Sequence, residues 1–402
     1  MPRLRKYLIL RRYLAMSRSL HPWNKKLTAI AFYKLYQPAQ NILPDMPKLK
    51  ARGDRPLQME FEDQLKALIL FHLEEHTSAQ HLLQVLEEDA FASTEIAPPK
   101  GIKKSSFSEA LNTRGLEQFF YVFEHLQKQA AKTIPAQHSC LGDLVAIDGS
   151  LVDAVLSMHW ADYRKGSKKA KAHIGFDINR SIPKKIFLTD GKGDERSFVS
   201  RILSPGQTGI MDRGYQCHAD FDRLQEENKL FVCRIKAGTS KTCLKNHSVD
   251  SGSIVLYDAT VLLGTPGVNQ TQKELRLVAY RVEGIDYWIA TNRFDLKAEQ
   301  IAQIYKLRWD IEKFFAWWKR HLKVYHLIAR SPYGLMVQLL AGLITYLLLA
   351  IYCHENYNEK VSIQRVRELR IMIQNEMRGS EKVPPDTFCR NQIYSAESYA
   401  KT

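Results

Sequence analysis

A chain of 402 residues is long enough for one large apolar core and one or two smaller units, and 45% hydrophobic with 25% charged residues is the balance of an ordinary soluble protein. Its 58 Lys and Arg against 43 Asp and Glu leave a net charge of +15, which points to a polyanionic partner. Six cysteines (Cys140, Cys217, Cys233, Cys243, Cys353, Cys389), none in a Cys-x-x-Cys pair, argue against a disulfide framework and a structural zinc site.

Residues 1–50 hold eleven cations against one acid, Asp45, so most of the net excess sits in an N-terminal arm. Such an arm binds nucleic acid or remains a solvated tail. The apolar stretches 7–10 and 13–16 are short and separated by Arg11 and Arg12, unlike a secretory signal, so a cytoplasmic protein is expected. Pro44, Pro47, Gly53 and Pro56 mark a linker. Residues 59–91 then read as two helices broken near His76-Thr77-Ser78, with Thr77 as the N-cap of the second. Lys103-Lys104-Ser105-Ser106 opens a short helix at 107–111, and 116–132 forms a longer one. This all-helical region is either a helix-turn-helix that offers Lys and Ser to DNA or a structural bundle.

From Cys140 the pattern turns to strands. Residues 144–147 run into Asp148-Gly149-Ser150; 172–177 and 185–189 form a hairpin about Asn179-Arg180-Ser181; a helix at 195–203 precedes strand 209–211, which runs into Asp212-Arg213-Gly214-Tyr215. A helix at 218–227 leads to strand 230–235, an α/β order. Lys168, Lys169, Lys171 and His173 line a DNA path or form a basic loop, while Asp190, Asp194 and Glu195 fall in a Gly-rich turn where polar residues are expected. Residues 236–292 read as a β-rich insertion with strands near 253–257, 275–282 and 287–291. Helix resumes at 296 and carries Tyr305-Lys306-Leu307-Arg308-Trp309-Asp310-Ile311-Glu312 onward to Lys319. On a helix, Tyr305, Arg308, Glu312 and Lys319 share a stripe, which sets one acid among cations. The twenty uncharged residues 334–353 could span a bilayer, but are read as a helix buried against a sheet, apolar on every side; a polar tail follows.

Asp148 and Asp212 each end an apolar strand and precede a turn, so each carboxylate projects from a strand's carboxyl end, where α/β sheets place ligands. With Glu312 they form a set of hard oxygen donors suited to two divalent ions. Two such ions about 4 Å apart would clamp the attacking and leaving oxygens of a phosphoryl transfer.

These residues resemble the bacterial insertion-sequence DDE transposases marked by a Y-R-E-K pattern, the insertion sequence four-like group, whose catalytic domain is ribonuclease H-like. Tyr305, Arg308, Glu312 and Lys319 match the pattern's spacings of two, three and six intervening residues, and Asp148-Gly149-Ser150 and Met211-Asp212-Arg213-Gly214-Tyr215 match the two aspartate motifs. The resemblance implies that Asp148, Asp212 and Glu312 are catalytic and bind two Mg²⁺, which Mn²⁺ can replace, and that Tyr305, Arg308 and Lys319 contact phosphates near the cleaved end. Trp288 resembles the aromatic on which a flipped base stacks, although it also reads as a core residue. Arg320 and Lys323 would prolong the phosphate track.

The implied fold is an α/β, ribonuclease H-like mixed sheet flanked by helices. The expected layout is a basic arm and linker at 1–56, a helical region at 57–138 with a possible DNA-binding role, the catalytic domain at 139–353 with its β-rich insertion at about 236–292, and a polar tail at 354–402. The implied function is cut-and-paste transposition by two-metal hydrolysis and strand transfer, with a hairpin intermediate. The implied partners are double-stranded DNA, as terminal inverted repeats and target, and a second copy of the chain in a homodimer. A nuclease of the same fold that does not join strands, and an inactive DNA-binding descendant, are the alternatives.

Overall fold

The computed structural model describes residues 31–49 and 56–377; the rest of the basic arm and the end of the C-terminal tail lie outside them. Five helices come first: α1 (Ala31–Gln40), α2 (Phe61–Leu73), α3 (Ala79–Glu88), α4 (Lys104–Thr113) and α5 (Leu116–Thr133). The α/β part follows as β1 (Leu144–Ala154), β2 (Asp162–Arg164), β3 (Ser167–Asp177), β4 (Ile182–Asp190), α6 (Arg196–Ile202), β5 (Thr208–Met211), α7 (His218–Glu226) and β6 (Leu230–Arg234). Four further strands, β7 (Lys241–Asn246), β8 (Val255–Leu263), β9 (Leu275–Val282) and β10 (Ile285–Thr291), lead to α8 (Ala298–Leu307), α9 (Trp309–His321), α10 (Pro332–Tyr357) and α11 (Ile363–Met377).

All ten strands belong to one mixed sheet in the order β2-β3-β1-β5-β6-β10-β9-β8-β7, with β4 also paired to β3. β1, β5 and β6 are parallel neighbours; the other pairings are antiparallel. The inserted strands therefore extend the main sheet through the β6–β10 pairing. Alternation along each strand sends Ala146, Ile174, Ile210 and Val232 to one face, under α8 to α10, and Val145, Ile147, Met211 and Cys233 to the other, under α6 and α7. A mixed sheet flanked by helices, preceded by a helical region, is the expected ribonuclease H-like architecture.

The uncharged segment forms α10, which is long and apolar enough to cross a membrane, yet 94% of its most apolar window is buried within the protein. The expected burial against the sheet is met at β4, and α1, α2, α4 and α5 supply the rest of its cover. A helix apolar all round has no preferred face, so any surrounding element can cover it. Its two buried polar residues, Gln338 and Thr345, are engaged: Gln338 Nε2 donates to His326 O at 2.8 Å, Gln338 Oε1 accepts from Ile328 N at 3.0 Å, and Thr345 Oγ1 donates to Ala341 O at 2.8 Å. His72 places Nδ1 2.7 Å from Leu322 O and Nε2 3.1 Å from Gln338 O; burial drives its pKa down to about 4 against the pull of these carbonyls, and the neutral ring, with one N–H, donates to only one of them.

Three local expectations differ. Ser78 caps α3 rather than Thr77, its hydroxyl accepting from His81 N at 3.1 Å. Phe32, Leu35 and Tyr36 of the basic arm are buried in α1. Part of the polar tail is the amphipathic helix α11, whose Val366, Leu369 and Ile373 are buried at helical spacing. Lys103, Lys104 and Ser105 remain exposed at the start of α4.

Candidate active site

Asp148, Asp212 and Arg234 each follow by two residues the paired positions Ala146, Ile210 and Val232, so alternation sends their side chains to the face covered by α8 and α9. Asp212 and Arg234 stand at the carboxyl ends of β5 and β6, whereas Asp148 lies within β1, which continues to Ala154 against β3, a difference from the expected strand end. Each aspartate is oriented by the backbone that follows it: Gly149 N donates to Asp148 Oδ1 at 2.8 Å, and Gly214 N donates to Asp212 Oδ1 at 2.7 Å. Burial pushes the Asp148 pKa up to about 6; the Gly149 N–H opposes this, Glu195 and Asp212 raise it further, and Arg308 lowers it.

Tyr305, Arg308, Glu312 and Lys319 stand over this edge, but not on one unbroken helix. α8 ends at Leu307 and α9 begins at Trp309, with Arg308 at the junction. The α-type conformation of Arg308 preserves the four-residue relation, and its Nη2 donates to Glu312 Oε1 at 2.5 Å. The Asp148 carboxylate also acts on the same guanidinium, more weakly than Glu312. Tyr305 is buried, with its pKa raised by burial against the pull of Arg308 and Arg234. Lys319 Nζ donates to Leu151 O at 2.7 Å; burial lowers its pKa, with Asp153 and Asp148 opposing and Lys169 adding to the fall. Phe314, one turn away, stacks on Phe176 of β3 at 4.8 Å and seats α9 on the sheet.

The outer residues of the predicted site fare differently. Arg320 is exposed, whereas Lys323 is turned to Glu75 at 3.5 Å. Trp288 lies on the reverse face of the sheet, 5.7 Å from the Tyr257 ring and with Lys241 Nζ 4.7 Å above it, and is not brought beside Tyr305. Its neighbour Tyr287 occupies the Tyr305 face: it stacks on Tyr280 at 5.2 Å, carries the Arg234 guanidinium at 4.5 Å, and lies 6.1 Å from Tyr305. Tyr287 and Arg234 were not among the residues expected in the site, although Arg234 closes the apolar strand β6 much as Asp212 follows β5.

Lys168, Lys169 and Lys171, read as a DNA path or a loop, belong to β3 and pair with Asp162, Asp153 and Glu195. Among the described residues, no three His, Cys, Asp or Glu side chains converge closely enough to hold a metal ion. Asp148 and Asp212 are nonetheless neighbouring hard oxygen donors, one of them half-buried and held against its tendency to ionise, which suits a divalent cation.

Because Asp148 ionises less readily folded than unfolded, it lends stability that is full below about pH 4 and lost as pH rises through about 6. Asp148→Asn is expected to remove this dependence and to stabilise the protein above pH 6 by roughly 1–3 kcal/mol. Urea midpoints measured with a chelator at pH 4.5 and 7.5 check this; the same pH trend in both proteins would refute it.

Residues 140–348 match the family of transposase DDE domains. A probable transposase for insertion sequence element IS5377 of Geobacillus stearothermophilus is 30% identical over 215 residues, 52% of this chain and 57% of the relative. A protein of Sinorhizobium fredii, also named as a transposase, is 29% identical over 203 residues, 49% of this chain and 57% of the relative. One of Synechocystis sp., named for insertion sequence element IS4SA, is 26% identical over 259 residues, 61% of this chain and 71% of the relative. The chain thus spans little more than half the length of the first two. The matched span runs from just before β1 into α10, so it takes in both aspartates and the whole Tyr305 to Lys319 stripe, and the chain belongs to the DDE transposase family.

Proposed function

We propose that the protein is a DNA transposase that cuts and rejoins the ends of an insertion sequence, with Asp148, Asp212 and Glu312 as its catalytic acids. The observation that carries this reading is that Asp148 and Asp212, each two residues beyond the paired Ala146 and Ile210, fall on the one sheet face that α8 and α9 cover with the Arg308–Glu312 pair. The three carboxylates would hold two Mg²⁺ ions, or Mn²⁺. When bound, such ions supply an activated attacking oxygen and offset charge on the leaving oxygen.

The remaining work falls to the chain itself. Arg308 pairs with Glu312, so Glu312 can turn toward the aspartates only as the guanidinium takes another anion. A DNA phosphate is such an anion, and it accepts the planar guanidinium through two hydrogen bonds. Substrate entry would thereby release the third acid. Lys319 and Tyr305 flank the same path, and Arg234 with its tyrosine stack extends it toward the β9–β10 strands. The net charge of +15 favours DNA over a neutral ligand. A homodimer pairing two ends, and a hairpin formed when the freed 3′-hydroxyl attacks the opposite strand, complete the reading.

Incubating the protein with Mg²⁺ and labelled DNA bearing the inverted repeats that flank its coding region tests this. Joined products are expected. Cleavage without joining would identify a nuclease, and binding without cleavage an inactive descendant.

A further inference from the structure

On the reverse face of β1 lies an arrangement that the proposed chemistry does not use. Glu195 immediately precedes α6, whose Val199 and Ile202 pack with Val145 and Ile147 on that face. A Cβ on Gly149 would lie 2.8 Å from the Glu195 carboxylate, so the absence of a side chain there is what lets Glu195 reach the backbone next to Asp148. Lys171 of β3 fixes it from the side: its Nζ is 2.9 Å from Glu195 Oε1 and donates to Gly193 O at 3.1 Å. Tyr215 closes the group. It is only 3% exposed, and its hydroxyl is directed toward the Glu195 carboxylate, with Asp148 and Asp212 near it.

We propose that Glu195 is a positioning residue which, balanced by Lys171, sets the orientation and local negative charge of Asp148 and so the affinity of the catalytic edge for a divalent cation. This rests on the reading of Asp148 as a metal ligand. Glu195 packs against Gly149, whose N–H donates to Asp148 Oδ1, so it steadies the peptide unit that orients that acid. A divalent ion bound at Asp148 would be attracted by the Glu195 carboxylate behind the strand, and the Lys171 ammonium, 2.9 Å from Glu195, tempers that attraction. The glycine, the ammonium and the buried phenol thus form a support behind the acid, comparable to the outer partners that orient metal ligands elsewhere.

The test is Mn²⁺ binding to the full chain without DNA, read by electron paramagnetic resonance alongside urea midpoints. Glu195→Gln is expected to weaken binding about 10-fold or more, and Glu195→Asp to recover part of it. Lys171→Met, which removes the tempering charge, is expected to tighten binding several-fold, with the double variant near wild type. The opposite signs separate a charge effect from loss of structure, which would weaken binding in both. Lys171→Met also keeps the test decisive if Glu195→Gln does not fold. Binding lost in Asp148→Asn but unchanged in Glu195→Gln would overturn this inference alone. Absence of binding in the wild type would overturn it together with the metal reading.

Discussion

Glu312→Gln is expected to lower strand cleavage by about a thousandfold or more while DNA binding stays within a few-fold of wild type. The substitution keeps the size of the side chain and its place in the first turn of α9 but removes the charge that attracts both Arg308 and a cation. Because Arg308 is then freed rather than lost, phosphate binding should persist or strengthen slightly. Cleavage of labelled end DNA, measured beside a mobility-shift titration of the same preparation, checks both halves. Cleavage near the wild-type rate would remove Glu312 from the active site. Parallel loss of binding and cleavage would give it a structural role instead.

Asp258→Ala is expected to destabilise the protein by about 3–5 kcal/mol, the usual consequence of leaving one half of a buried ion pair uncompensated. Asp258 of β8 receives two bonds from Arg276 of β9, Nε to Oδ1 at 2.9 Å and Nη2 to Oδ2 at 2.7 Å, with the two side chains 4% and 10% exposed. Arg276 Nη1 also donates to the carbonyls of Arg293 and Leu296, in the segment that leads from β10 into α8. The pair therefore ties the inserted strands to the start of the helix that ends at Arg308. Urea unfolding measures the loss, and a change below about 1 kcal/mol would refute the assignment. Asp258→Ala combined with Arg276→Met should be less destabilised than Asp258→Ala alone, since no buried charge is stranded.

Much of the order of elements was legible because local rules govern it, although β2 and β7 were not foreseen. An apolar run ending in Asp and a turn announces a strand end, and this held for Asp212, which follows β5, but not for Asp148: β1 runs on through Gly149 and Ser150 to Ala154 because β3 pairs with it along that whole length. Four-residue spacing announces a helical pair, and this held for Arg308 and Glu312. The strand at 275–282 was placed without error, and the ends of most others shifted by a few residues, because hydrogen-bonded pairing with a neighbour decides where a strand stops. Ser78 against Thr77 is the same kind of difference, a choice between adjacent hydroxyls made by which one faces His81 N.

Pairing and packing across the chain decided the rest. Whether Trp288 or Tyr287 faces Tyr305 depends on a one-residue phase in β10, which is set by its register with β6 and β9 and reverses every side chain if it slips. Arg234 comes near Asp212 only because β6 lies parallel beside β5, with Met211 paired to Cys233. Glu195 looked like one polar residue in a turn; it gains a role from Gly149, 46 positions earlier, which leaves the space it fills. The sequence by itself determined which residues carry charge and chemistry and which local elements hold them. Only the tertiary structure decided which of those residues meet, because the face, the register and the free space at each strand edge are properties of neighbours distant in the chain.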